Sequence, residues 1–514
     1  MSSEQQPAKG LTTIATATVM MTAFIIGTDF TGALLLVPAI ENELRADITT
    51  TQWVLNIYAL SFAMFMVTGG RLGDTHERRR VLLIGLVIFV AASIACMLAP
   101  TIGFLIGARA VQGVGAGLIW PSMLAIGATS ATEDQRGFVM GLILAGVTSG
   151  NVIGPLIGGV SSYLGDWRLF FLVNAVIAAL AAMLVIRFLP KQPPQVENEK
   201  IDITGIIVLS LAILALLYAL DVGADWGWGS WLIITLLILS VVLFVTFPLV
   251  ERRVTDPLMP QQMMRNREFL LTLSLNALMV PSFFVAFLYF PQYMQKTLGW
   301  SVLQASFGMV PLMLLLAVGS IIAGNFYTAI GPKRLLYAGY VFVSLGGLTV
   351  ILMDPSWGYY AILPAMLLMG IGAPMAVNAS GTAAVSAVNP SRAGLAGGLS
   401  FMVHLVYGAI GVAVATAIMF ASSLGRIQSA LKDAGISLSA SDISLLNSSA
   451  ADPEALKSML SRFSAQETDK INSIATDAFA AGMSLAYWPV FVSTVIGLFV
   501  IAAIDEKKLH AIDE

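Results

Sequence analysis

The sequence predicts an all-α polytopic membrane protein with fourteen transmembrane spans. Three observations carry that prediction. Hydrophobic residues make up 57% of the 514-residue chain and charged residues only 11%, with a mean hydropathy of +0.84. No soluble domain could cover that much apolar surface. Apolar runs of the length that crosses a bilayer, about 20 residues, recur along most of the chain. Lysine and arginine are concentrated in alternate connections between those runs.

The expected spans are 12–38, 53–72, 81–99, 102–129, 137–160, 169–189, 203–221, 231–250, 269–291, 303–329, 335–353, 359–384, 394–421 and 483–504. Placing the N-terminus in the cytoplasm puts Arg78, Arg79, Arg80, Arg136, Lys191, Lys200, Arg252, Arg253, Arg265, Arg267, Lys333, Arg334 and Arg392 on inner connections. The outer ones then hold little more than Arg45, Arg168 and Lys296. This asymmetry predicts that both termini are cytoplasmic; the location expected for such a protein is the cytoplasmic (inner) membrane. The first ten residues are polar with one lysine, and the first span is read as retained rather than as a signal peptide.

The organisation follows. Residues 1–11 are a tail, and 12–189 form a first six-helix half. Residues 190–202 (PKQPPQVENEKID) are a Pro-rich, charged cytoplasmic linker, and 203–250 are two inserted spans. Residues 251–268 are a second, basic linker, 269–504 a second six-helix half, and 505–514 a tail. An extracellular loop is expected at 422–482. There Leu456, Met459, Leu460 and Phe463 recur at helical spacing, and a second helix near 426–434 would complete a hairpin. Gly70–Arg80 and Gly331–Arg334 echo each other weakly at equivalent places in the two halves.

Several residues stand out against this apolar background. Asp29 lies well inside the first span, where a charge costs roughly 2.5–3.5 kcal/mol on insertion scales. Such residues face cavities or partners and mark ion or substrate routes. A carboxyl whose surroundings alternate between buried and cation-paired takes up and releases a proton. Arg109, inside the fourth span, cannot readily deprotonate and must find partners; Asp29 is the acidic candidate. His404, inside the thirteenth span, is either a hydrogen-bonded core residue or a second protonatable group. In the fifth span, glycines at 146, 150, 154 and 158 recur every fourth residue and share one helix face, a pattern that lets a second helix pack closely in lipid. Pro155 removes a backbone donor there and is expected to bend the helix.

Other chemistries find no support. The single cysteine, Cys96, excludes an intramolecular disulfide, and three scattered histidines make no ligand cluster. No phosphate-binding G-x4-GK[ST] loop is present, so ATP is not the expected energy source. No serine, histidine and acid arrangement argues for hydrolysis. An ion gradient remains, and a lone intramembrane carboxylate fits protons. Neither an enzyme activity nor a metal or cofactor is expected.

Several motifs resemble the major facilitator superfamily, and within it the fourteen-span drug:proton antiporters. In the fifth span, G-x8-G-x3-G-P-x-x-G-G is similar to the antiporter motif of that family, with Gly141, Gly150, Gly154, Pro155, Gly158 and Gly159 in place. D-x-T-x6-P (Asp29, Thr31, Pro38) resembles the first-span motif, with Leu34 where relatives usually carry Asn. Gly70, Asp74, Arg78, Arg79 and Arg80 resemble the loop motif between spans two and three, with Glu77 in place of a usual Gly. Arg109, Gln112 and Gly113 are similar to the fourth-span motif. Where relatives often carry Arg-Gln, this chain has His404 and Leu405. The resemblance implies two six-helix halves plus two inserted spans, and a monomeric pump exporting lipophilic, cationic compounds against protons. It implies proton coupling at Asp29, which Arg109 is expected to tune, and a gate latched by Asp74 and the arginines; His404, where this chain departs from the family, is the candidate for a second protonatable site. Phe30, Tyr58, Phe62, Phe283, Phe284, Phe287 and Tyr289 are the expected substrate-binding residues, since aromatic faces attract quaternary ammonium groups. An exporter of an endogenous metabolite, siderophore or peptide fits the same scaffold. Lipid surrounds such a protein, and no nucleic-acid partner is expected.

Overall fold

The computed structural model describes residues 13–46, 48–130, 133–191, 194, 196, 199, 202–439, 442, 443, 446 and 458–506. The expected N-terminal tail 1–11, most of the tail 505–514 and Leu456 lie outside them. In hydrocarbon, each backbone N–H and C=O must be satisfied within its own segment, so the apolar runs become helices. Among the described residues, fourteen helices are long and apolar enough to cross a membrane. They are α1 (Thr13–Leu36), α2 (Thr50–Thr75), α3 (Arg78–Met97), α4 (Ile102–Ser130), α5 (Phe138–Tyr163), α6 (Arg168–Phe188), α7 (Ile203–Gly223), α8 (Trp231–Glu251), α9 (Arg267–Lys296), α10 (Gln304–Ile330), α11 (Pro332–Ile351), α12 (Pro355–Ser386), α13 (Pro390–Asp433) and α14 (Ala465–Ala502).

Helices α1–α6 and α9–α14 form two bundles. Within the first, α1 packs on α5, α2 on α4, and α3 on α4 and α6; within the second, α11 and α10 pack on α12, α13 on α14, and α9 on α12, α13 and α14. The bundles meet where α5 lies along α10 and where α13 lies along α2 and α4. The inserted pair sits at their edge. Helix α7 packs on α2 and α13, and Ser210 Oγ donates to the Met64 carbonyl at 3.4 Å. Helix α8 is held to α7 by Ser240 Oγ on the Ala212 carbonyl at 3.0 Å and is the most exposed of the fourteen.

The outer segment departs from expectation. Helix α13 continues without a break from the membrane to Asp433, and α14 starts at Ala465, well before 483. Residues 422–433 and 465–482 are therefore helix extensions rather than loop. A capping box starts α14: Glu467 N donates to Ser464 Oγ at 3.3 Å, and Ser464 N donates to Glu467 Oε2 at 3.0 Å. The two extensions enclose a small core of Ile427, Leu431, Ile471 and Ala478, against which Leu460 and Phe463 pack.

Candidate functional site: a buried ion pair, a shared cavity and a latch

The glycine face of α5 is filled by α1. A Cβ at Gly150 would lie 2.2 Å from the Phe24 carbonyl oxygen, at Gly154 2.5 Å from that of Thr28, and at Gly158 2.2 Å from that of Gly32. Only glycine allows this approach. Gly141 instead faces Gly324 of α10 in the other half, and Gly159 is in ordinary contact with Leu35. Pro155 sits inside a helix that runs unbroken from Glu133 to Tyr163.

Asp29 is on α1, within the stretch from Phe24 to Gly32 that makes this contact. Its carboxylate is fully buried. Oδ2 accepts from Arg109 Nη1 at 2.6 Å and Oδ1 from Gln112 Nε2 at 3.2 Å. Arg109 also donates to Gln112 Oε1 at 2.7 Å and to the Val54 carbonyl at 2.9 Å. Its guanidinium carbon lies 4.2 Å from the centre of the Tyr58 ring. Gln112 passes the network on to Ser93 Oγ at 2.8 Å. A buried charge is tolerable only when paired and hydrogen-bonded, and here the carboxylate and the guanidinium pair with each other and share Gln112. Leu34 is on a 3-10 turn and more than half exposed; it takes no part in this network.

Beside α1 the two halves line a cavity of about 130 Å3. Of the aromatic residues singled out in the sequence, Phe30, Phe62, Phe283 and Phe284 line it. Tyr58, Phe287 and Tyr289 do not. Tyr58 covers Arg109, Phe287 lies tilted against Phe283 with ring centres 4.5 Å apart, and the Tyr289 hydroxyl donates to Thr416 Oγ1 at 2.8 Å within its own half. The cavity also contains residues that sequence reasoning missed: Trp120, Thr148, Asn151, Ser320, Asn378 and Phe401. Thr148 and Ser320 oxygens lie 3.5 Å apart across the halves. His404 is in the cavity wall, its ring flat on Phe401 at 4.8 Å and its Nδ1 3.4 Å from Asn276 Oδ1. It is not part of the Asp29 network.

One end of the cavity is closed. Trp120 and Phe401, from opposite halves, touch with ring centres 3.7 Å apart. Roughly 9 Å further along α13, at the helical rise of 1.5 Å per residue, is a latch. Asp74 accepts from Gly394 N at 3.0 Å and Leu395 N at 2.8 Å, the first free amides of α13. Arg78 Nη2 holds Asp74 Oδ1 at 2.8 Å and the Pro390 carbonyl at 2.8 Å, and Nη1 reaches Thr129 Oγ1 at 2.9 Å. A Cβ at Gly70 would meet the Gly394 carbonyl at 2.4 Å, so α2 and α13 touch through backbone.

The other arginines of that motif do not join the latch, contrary to expectation. Arg79 donates to the Ile186 carbonyl of its own half at 2.7 Å, and Arg80 is mostly exposed, 3.9 Å from Glu77. Their place is taken by a residue that sequence reasoning left in the linker. Glu199 Oε2 pairs with Arg71 of α2 at 2.6 Å and with Arg392 Nη1 at 2.8 Å, while its Oε1 meets Arg392 Nη2. The weak echo at Gly331–Arg334 also stays within its half. Lys333 Nζ donates to the Ala502 and Ile504 carbonyls at 3.1 and 2.8 Å.

Two helical halves around a central cavity form the architecture of a polytopic membrane transporter. The chain belongs to the major facilitator superfamily, whose sequence model matches residues 19–412. It is 31% identical to the puromycin resistance protein pur8 of Streptomyces alboniger, over 82% of this chain and 83% of that one. It is 30% identical to a tetracenomycin C resistance and export protein of Streptomyces glaucescens, over 82% and 79%. A methylenomycin A resistance protein of Bacillus subtilis is 27% identical over 81% and 90%. In fold it is similar to the human organic anion transporter MFSD10 (TETRAN), with a TM-score of 0.62 at 14% identity, covering 97% of this chain and all of that one.

Proposed function

We infer that this protein exports lipophilic small molecules across the cytoplasmic membrane by alternating access, in exchange for protons. The observation that carries the reading is the Asp29–Arg109 pair, buried in the membrane core beside a cavity that both halves share. The relatives support it, being named for resistance to puromycin, tetracenomycin C and methylenomycin A, and in one case for export.

The lysine and arginine asymmetry puts the latch and both termini on the cytoplasmic side, so the cavity in this state faces outward. Arg109 is seven residues from the outer start of α4, roughly 10 Å deep, which suits proton entry from outside. A proton on Asp29 would cancel its attraction to Arg109 and free α1 to move along the glycine groove of α5, carrying the cavity wall at Gly27 and Phe30 with it. Release of Asp74 from the start of α13 would then open the cavity to substrate from the cytoplasm or inner leaflet. The membrane potential contributes about 2.3 kcal/mol per charge per 100 mV to each proton returned. The aromatic walls suit lipophilic compounds, monocations included. The chain works as a monomer with no cofactor beyond the proton gradient.

Cells expressing the protein should accumulate less ethidium than cells without it, and a protonophore should erase the difference. Equal accumulation in both would refute the export reading.

A further inference from the structure

The cavity holds polar atoms that the protein leaves unsatisfied. The indole Nε1–H of Trp120, the side-chain oxygen of Asn151 and the side-chain nitrogen of Asn378 are buried with no hydrogen-bond partner, and all three residues line the cavity. Buried polar groups are nearly always paired, and each exception calls for an explanation. These three are set among aromatic rings from both halves. No described residue lining the cavity carries a carboxylate or a fixed positive charge. Asp29 cannot serve, since it is fully buried, is occupied by Arg109 and Gln112, and does not line the cavity.

We propose that the cavity recognises uncharged, planar aromatic compounds bearing a hydrogen-bond acceptor and donor on their rim, and discriminates against dications. The proposal deepens the export reading and rests on it. The substrate ring stacks among the aromatic side chains. Trp120 Nε1 donates to a rim oxygen. The amides of Asn151 and Asn378 supply a further acceptor and donor; each amide offers both, whichever way it is turned. A single positive charge is tolerated by aromatic faces. A second finds no counterion in a desolvated site and is rejected.

The test uses purified full-length protein and four fluorescent probes. Acridone is neutral, with one C=O and one N–H. The 10-methylacridinium ion has the same three rings, one charge and neither group. Ethidium and propidium are a monocation and a dication on one ring system. Trp120→Phe, which keeps a ring but removes the N–H, and Asn378→Leu should each weaken acridone binding about tenfold, the size of one lost hydrogen bond to a buried group. Both should leave 10-methylacridinium within about twofold, which also reports an intact cavity. Propidium should bind at least about tenfold more weakly than ethidium, as expected for an uncompensated buried charge.

Unchanged acridone binding in both variants would overturn the proposal. So would equal loss of both acridine probes, propidium binding as tightly as ethidium, or failure of both acridine probes to bind. The export reading fails separately. If acridone binds with the expected pattern while cells export no probe, the cavity assignment stands and export does not.

Discussion

Two substitutions within one motif should have opposite effects. Gly150 and Gly159 both belong to the glycine motif of α5, but they meet different neighbours. A methyl at Gly150 would lie 2.2 Å from the Phe24 carbonyl oxygen and 2.7 Å from the Thr28 amide nitrogen, both main-chain atoms of α1 that cannot rotate away. Ordinary contact begins near 3.4 Å, so Gly150→Ala forces α1 and α5 about an ångström apart. Overpacking of this kind costs about 1–3 kcal/mol. At Gly159 the new methyl would lie 3.6 Å from Leu35 Cδ1 and needs no movement. There alanine gains up to about 1 kcal/mol in helix propensity. Thermal inactivation of the purified protein, followed by size-exclusion fluorescence, reads both. Gly150→Ala should lower the apparent midpoint by several degrees, and Gly159→Ala should hold or raise it. Gly150→Ala should also reduce transport, since α1 carries Asp29. If Gly150→Ala melts with wild type, or if Gly159→Ala is the more damaging, the close packing of α1 in the α5 groove is refuted.

Further outcomes follow from the latch and the outer hairpin. Asp74→Asn leaves Arg78 buried without its counterion, a loss of about 3–5 kcal/mol for a broken buried pair. Spin labels at Arg80→Cys and Asn389→Cys, with Cys96 buried and unreactive, should then report a longer distance than in the parent. Arg80→Ala should keep transport within about twofold, because an exposed pair contributes about 0–1 kcal/mol. Glu199→Gln should also lengthen the spin-label distance, since it takes the carboxylate from both Arg71 and Arg392; an unchanged distance would remove Glu199 from the gate. In the outer hairpin, the Ser439 hydroxyl and then Arg462 hold the Asp442 carboxyl below its usual range. A depressed carboxyl contributes stability above its unfolded pKa and loses it as pH falls through the folded value. The protection factor of the Ile443 amide, referenced to its intrinsic exchange rate at each pH, should therefore fall on acidification below the carboxylate range, and Asp442→Asn should remove that dependence.

The features legible in the sequence were those with a strong physical penalty behind them. Asp29 and Arg109 are costly in a membrane, so each demanded a partner, and the structure joins them at 2.6 Å. Glycine at every fourth position has a cost in a helix that only a close neighbour explains, and α1 supplies it. Weaker signals were lost. The extensions of α13 and α14 read as loop because hydropathy falls where they leave the bilayer, although Ser464 and Glu467 carry a helix-start pattern. Glu199 sits in a linker whose composition is that of a solvated tether. Trp120, Asn151 and Asn378 lie in helices apolar on every side, where periodicity does not say which face meets the cavity. The aromatic residues show the same limit: Phe62 lines the cavity, while Tyr58, one turn away, covers Arg109.

The central claim is that proton exchange at Asp29 drives export, and everted membrane vesicles test it most directly. With an inside-acid gradient and a pH-reporting dye, ethidium should collapse part of the gradient in wild-type vesicles. It should leave the gradient untouched in Asp29→Asn vesicles of equal protein content. An equal response in both would contradict the assignment of coupling to Asp29, and His404 in the cavity wall would be the next residue to replace.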